Sequence, residues 1–221
     1  WKQQDSTTDL DLSAVTFDSN FEYKQHVSYT RLAGQGMAHS GDLTSAPHGS
    51  AEFIDMDIEA LKETGARYVA PQIYRYSGEN FGDCEECFSG WMSRQNVNKD
   101  YRTFDVKTVE NAFAMQGQAR YSVPFLVDLL TNQVIYVDLY VGGPVGRHNR
   151  VENSLDEVSS RLREIVAMGE SKPNLFDLAM HHVVGRGATE VGTPEEADIR
   201  IGVRDCDFNA LDTEVILSEF L

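Results

Sequence analysis

The residues able to do chemistry fall in three places along this 221-residue chain. Acids alternate with strand-forming apolar residues in "DSTTDLDLSAVTFD" (5–18), and again in "HSGDLTSAPHGSAEFIDMDIEAL" (39–61). Further on, Cys84 and Cys87 bracket two glutamates in "CEEC". Calcium takes six to eight oxygen ligands, mixing carboxylates with backbone carbonyls from flexible loops. Asp5, Asp9 and Asp11 lie at the start of a strand candidate, and in an extended segment Asp9 and Asp11 point to one face. Asp42 follows Ser40-Gly41, where glycine lets a backbone carbonyl swing inward. Glu52, Asp55 and Asp57 come next, and Asp55 shares a face with Asp57 if that stretch is a strand. None of this has EF-hand spacing, and the wet face of a half-buried sheet alternates in the same way. Two readings therefore stand. One is a cation site at one end of a sandwich, where Asp9, Asp11 and Asp42 converge and Asp5 or Glu52 completes the shell. The other is a pair of solvated acidic loops.

A Cys-x-x-Cys pair can supply two of four zinc ligands or close a redox disulfide. Zinc would need two more ligands from Cys206 and six histidines. His181 and His182 are adjacent on a predicted helix and diverge by about 100°, so they do not chelate together. Glu85 and Glu86 should raise the thiol pKa values. The pair thus reads as an ordinary loop pair, with zinc and redox roles behind it. Ser40 and Ser89 lie in "HSGD" and "FSGW", and neither makes a Gly-x-Ser-x-Gly elbow. The glycines at 142–143 and 185–187 form neither a P-loop nor a dinucleotide fingerprint.

Thirty-five acids against 19 bases give a net charge of -16. Such a chain repels nucleic acid and anionic lipid, and favours divalent cations or basic proteins. No apolar run of ~18 residues suggests a membrane span. The three cysteines do not suggest a secreted disulfide framework, and a cytoplasmic setting follows as the expectation. The first residue is Trp1 rather than Met, so the chain is expected to be a piece of a longer protein.

These residues must be positioned by strands first and helices second. "LSAVTFD" and "ARYVAPQIYRYSG" (66–78) read as strands, the second ending at a turn. "YSVPFLVDLL" and "QVIYVDLYV" flank Thr131-Asn132, which predicts a two-residue hairpin loop. Leu130 would then face Gln133, Phe125 would face Asp138, and Asp128 would face Ile135, so Asp128 and Asp138 make no common site. Pro124 marks an edge strand or a bulge. After "GGPVGRHNR" (142–150), Ser154 and Glu157 form a capping-box signature. Leu155, Val158, Leu162, Ile165 and Val166 then recur at helical spacing. "NLFDLAMHHVV", capped by Asn174, and "LDTEVILSEFL" predict further helices. "TPEEAD" (193–198), with Thr193, Pro194 at the first helical position and acids after it, reads as another helix start, and "IRIGV" reads as a strand. The expected architecture is mainly β with α. A β-sandwich over 1–150 is followed by a helical extension, 151–221, packed on it as one structural unit.

"TDLDLSAVTFD", then "HSGD", then "FSGWMSRQ", in that order, resemble the TerD family of tellurium-resistance and stress-response proteins. "WKQQDSTTDLDLSAV" also matches the family's tryptophan-led segment, and Phe81-Gly82 its Phe-Gly. "PNLFDLAMHHVVGRG", "EEAD" and "EVILSEFL" resemble the C-terminal part of large bacterial proteins that couple a RING-type zinc module to a TerD-like region. The resemblance implies a β-sandwich, calcium bound through acidic loops, and no established reaction. It would place Asp9, Asp11 and Asp42 at matching acidic positions, with Asp5 close to one. Where the family has a dense acidic run, this chain has "HGSAEF", keeping Gly49 and Glu52; fewer carboxylates mean weaker calcium binding.

The expected function is a non-enzymatic, calcium-modulated scaffold in a bacterial stress system. Its partners would be other proteins of that system, with a RING-type module in a preceding part of the chain. The alternatives are an interaction module that has lost calcium binding, and a metal-dependent hydrolase using the same carboxylates with His39 or His48.

Overall fold

The computed structural model describes residues 1–93, 106–142 and 150–171, and beyond them 180, 183–185, 187–189, 191–202, 206–209 and 218. Contacts divide the chain into two units, Trp1–Val166 and Ala167–Leu221.

The first unit is built on a five-stranded antiparallel sheet. Its strands are β1 (Asp9–Phe17), β2 (Tyr23–Val27), β6 (Tyr68–Ser77), β9 (Tyr121–Asp128) and β10 (Gln133–Val141), in the order β10-β9-β6-β1-β2. β1 and β6 pair along their whole length, from Phe17 opposite Tyr68 to Asp9 opposite Ser77. Both are almost continuously buried, because each of their faces has a cover. Ala14, Val27, Val69 and Leu129 on one face pack against Met37, Ile54, Met56 and Leu61. Those residues come from a second, three-stranded sheet and a short helix. The sheet holds β3 (Ala33–Gly34), β4 (Met37–His39) and β5 (Ile54–Met56); the helix is α1 (Ile58–Glu63). Sheet on sheet is the expected sandwich.

The opposite face carries Val15, Phe17, Tyr68, Ala70 and Val123, and it is covered by Val151, Val158 and Leu162. The latter two belong to α2 (Leu155–Ser171). The apolar stripe read at helical spacing is thus core of the same chain, with Leu155 and Val166 at its margin. Helix, sheet and sheet form three layers. A two-stranded ribbon, β7 (Phe88–Met92) with β8 (Val109–Ala114), completes the unit.

Several sequence expectations change. The hairpin loop is four residues, with Asp128 opposite Gln133 and Phe125 opposite Tyr136, two residues from the expected register. The reason is the Asp128 carboxylate. It accepts N–H bonds from Leu130 and Thr131, holding residues 129–132 as the turn, and pairs with Arg67 at 3.0 Å. Asp138 sits where the β9–β10 register shifts, at φ 46°, and shares no site with Asp128. Pro124 lies on a central strand opposite that irregularity; with Pro71 on β6 it removes donors where the β6–β9 ladder is interrupted between Val69 and Ile73. Ser154 does not form the reciprocal capping box: its hydroxyl donates to Val151 O and Tyr121, while Glu157 pairs with Arg161. Asp57 is no strand residue, since its carboxylate caps α1 by accepting from Ala60 N–H.

In the second unit, Pro194–Glu196 form a single 3-10 turn, and Ile201–Gly202 pair in parallel with Phe208–Asn209. The expected helix at 174–184 falls largely, and the one at 211–221 almost wholly, outside the described residues.

Leu162 has no exposed surface. Leu162→Ala should destabilise the protein by about 2–5 kcal/mol, whereas Glu164→Ala, two residues on and on the exposed side, should stay within about 0.5 kcal/mol. Urea titration of both variants checks this; equal, small effects would mean that α2 does not cover the sheet.

Candidate cation site

β1 outruns its neighbour β2, whose pairing ends at Val27 opposite Ala14. The backbone of Leu12 therefore has no strand on that side, and a buried N–H or C=O must find another partner. Two side chains from the 39–52 segment supply it. Glu52 accepts from Leu12 N–H at 2.8 Å, and the His39 ring donates from Nε2 to Leu12 O at 2.8 Å. The other ends of both side chains tie down their own loop. Leu43 N–H donates to the second Glu52 oxygen, and Gly41 N–H donates to His39 Nδ1. Ser40 and Phe53 close the loop by two hydrogen bonds, one through the Ser40 hydroxyl.

This tether brings the loop acid over the strand acids. Gly41, at φ 117°, turns the chain in a conformation that L residues rarely adopt, and Asp42 follows it. Carboxylate oxygens of Asp9, Asp11 and Asp42 lie within 4.8 Å of one another. Two oxygens on one calcium, each at ~2.3–2.6 Å, stand up to about 5 Å apart, so the trio fits a shared ion. Asp11 is buried, Asp9 half-buried and Asp42 exposed, which leaves the site open to solvent on one side. Oδ1 of Asp9 is buried without a hydrogen-bond partner. Burial and then the neighbouring Asp42 raise the Asp9 pKa. A hard, oxygen-only donor set suits calcium or magnesium rather than a thiophilic metal.

Glu52 and Asp5 stand apart from the trio. Both Glu52 oxygens are engaged by backbone N–H groups, and its side chain is 3% exposed. Burial pushes its pKa up to about 7, against the pull of those two bonds. Glu52 shapes the site, with Asp11 and Asp42 among its neighbours, and adds negative field only as pH rises through about 7. Asp5 lies on an exposed turn whose backbone is gripped elsewhere. Glu79 accepts N–H bonds from Gln4, Asp5 and Ser6, and those bonds hold its pKa down. This role of Glu79 was not read from the sequence, where only the turn at Gly78 was visible. Gly78, at φ 87°, is required there because a Cβ would run into Thr7 O and Thr8.

The hydrolytic candidates are occupied structurally. His39 is fully enclosed, both ring nitrogens are bonded to backbone groups, and burial lowers its pKa. That leaves neither nitrogen free as a general base. The Ser40 hydroxyl accepts from Phe53 N–H, and His48 is exposed on the loop.

No protein-family model matches the chain, and no curated protein matches it. Among solved structures it is similar to a homologue of the telluride resistance protein TerD from Streptomyces coelicolor A3(2). That match has 9% identity and a TM-score of 0.47, covering 72% of this chain and 90% of the other. It is also similar to a protein of unknown function, at 13% identity and a TM-score of 0.42, covering 65% and 85%.

The raised Glu52 pKa carries a pH dependence. The folded protein binds this proton up to about pH 7, whereas the unfolded chain releases it near ~4.3. The folded state holds more protons in that window, so Glu52's contribution is full below it and is lost as pH rises through it, on the order of 3 kcal/mol. The lowered pKa values of His26 and His39 act with the opposite sign below about pH 6.5. Urea unfolding in chelator from pH 5 to 8 should therefore show a more negative slope for wild type than for Glu52→Gln. Parallel slopes would show that Glu52 does not titrate in this window.

Proposed function

We propose that this chain is a TerD-type, non-enzymatic module that binds calcium at Asp9, Asp11 and Asp42 and acts as a calcium-modulated scaffold for other proteins of a bacterial stress system in the cytoplasm. The observation that carries the reading is the trio itself. Three carboxylates from two separate segments meet within 4.8 Å, and one buried oxygen has no partner. Like charges brought together in this way raise one another's pKa unless a cation neutralises them. The ordered motifs in residues 5–18, 39–42 and 81–95 support the family reading. No helix among the described residues is long and apolar enough to cross a membrane.

The ion does two things in this scheme. It neutralises the negative field at one end of the sandwich, and it ties the 39–52 loop to β1 by metal–oxygen bonds that supplement the Leu12 tether. Binding that favours the folded state stabilises it by about 2.7 kcal/mol at a hundred times Kd. A partner that reads the loop's conformation would then respond to calcium. A second reading is favoured by "HGSAEF" at 48–53. With few acids in that run, the fold would act through protein contacts alone.

Calorimetric titration of chelator-stripped protein with calcium, with thermal unfolding in parallel, separates the two readings. Expected are saturable binding at micromolar to millimolar calcium and a rise in Tm. Both should vanish in Asp11→Asn and Asp42→Asn and persist in Asp5→Asn. Absence of heat and of any Tm shift up to millimolar calcium would overturn the cation reading and leave the contact module.

A further inference from the structure

The second chemical cluster lies in the CEEC segment. A cavity of about 640 Å³ is bordered by the 3-10 turn Phe81–Asp83, the CEEC run, and residues 112–118 after and within β8. Three of its lining residues carry sulfur: Cys84, Cys87 and Met115. They are held together by backbone and core. Met115 N–H donates to Cys87 O at 2.9 Å, and Cys87 packs against the apolar cluster that contains Met115 and Phe81. The two thiols are free, and both line the same cavity. Cys84 is anchored at its other side by its thiol donating to Asn80 O. The segment is clamped to the chain start by paired backbone bonds between Lys2 and Glu86 and by the Lys2–Glu85 ion pair at 2.6 Å.

We propose that Cys84, Cys87 and Met115 form a binding site for a soft monovalent cation, copper(I). Thiolate and thioether donors select soft metals, and copper(I) is satisfied by two or three sulfurs. Zinc wants four nitrogen, sulfur or oxygen ligands. Among the described residues the one group of three or more His, Cys, Asp or Glu ligand atoms is the aspartate trio, so no third such ligand gathers at the thiols. The acids around the cavity mouth, Asp83, Glu85 and Glu86, attract cations towards it. On binding, each cysteine sulfur bonds to copper as its proton passes to solvent, and no electron is transferred. The site's net charge falls by one, with the Lys2 ammonium beside Glu85 to offset it.

Both thiols hold their protons at neutral pH, and a metal must displace them. Burial pushes Cys87 up to about 12, and burial with Glu79 raises Cys84. Neither is a thiolate at neutral pH, which disfavours disulfide exchange. Only a cation that bonds sulfur strongly displaces both protons.

The test is anaerobic titration of the reduced protein with copper(I), kept reduced by ascorbate, against a chromogenic copper(I) chelator. One ion per chain is expected. Affinity should rise about 100-fold per pH unit, because two protons leave. Cys84→Ser and Cys87→Ser should each weaken binding more than about 100-fold, and Met115→Leu about tenfold. Cys206→Ser should leave binding unchanged. Circular dichroism shows whether Cys87→Ser folds; the more exposed Cys84→Ser carries the test if it does not. Failure of wild type to compete, loss of binding in Cys206→Ser, pH-independent affinity, or one-to-one zinc binding that excludes copper would each overturn the proposal. The aspartate trio takes no part, so Asp11→Asn should keep full copper(I) affinity.

Discussion

The unpaired backbone of Leu12 is the constraint on which the acidic end of the molecule depends. β1 needs a partner on the side where β2 has already ended, and Glu52 and His39 stand in for the missing strand. A buried carboxylate and a buried imidazole are costly unless their hydrogen-bonding capacity is used. Here their hydrogen bonds go to backbone, two to Leu12 on β1 and two within the 39–53 loop, and so tie the loop to the strand. Asp42 reaches Asp9 and Asp11 because this tether holds its loop against the strand. The site is thus a consequence of how a long central strand is finished beyond its neighbour's end.

Electrostatics runs the other way from the tether. A chain of net charge -16 brings carboxylates together where strand ends and loops meet, and burial first, then neighbouring acids, raises the pKa of Asp9 and Glu52. Elsewhere the same chain neutralises its acids. Asp128 is held by Arg67 and two turn N–H groups, and Glu79 by three N–H groups of residues 4–6. Those acids have lowered pKa values and define turns. The contrast separates acids used as structural staples from acids left with charge to share. It is also why the trio, rather than the more numerous surface acids, carries the functional reading.

Two chemically opposite ligand sets sit on one small fold. The aspartate trio offers hard oxygens, partly open to water. The CEEC cavity offers soft sulfurs set against an apolar cluster. If both sites take the ions proposed for them, hard–soft preference keeps those ions apart without any need for geometric exclusion.

Much of this was written in local pattern. The strands at 9–17 and 68–77, the helix from Leu155 with its apolar stripe, and the grouping of Asp9, Asp11 and Asp42 followed from side-chain periodicity, turn residues and motif order. Periodicity reports which face a residue takes, and faces are what a sandwich selects. Register and partner were not local. The Asp128 turn shifted the hairpin by two residues because its carboxylate found N–H donors that no spacing rule weighs. Asp57 left the strand to cap a helix, and Asp5 was drawn away by Glu79, 74 residues distant in sequence. Glu52 became a buried tether, and Met115 joined Cys87, because backbone groups far apart in the chain had to be satisfied once the layers closed. The amino-acid order determined which residues would be wet, buried or charged; only the tertiary structure decided which of them bond one another, since that depends on which backbone groups the folding of the sheets leaves without a partner.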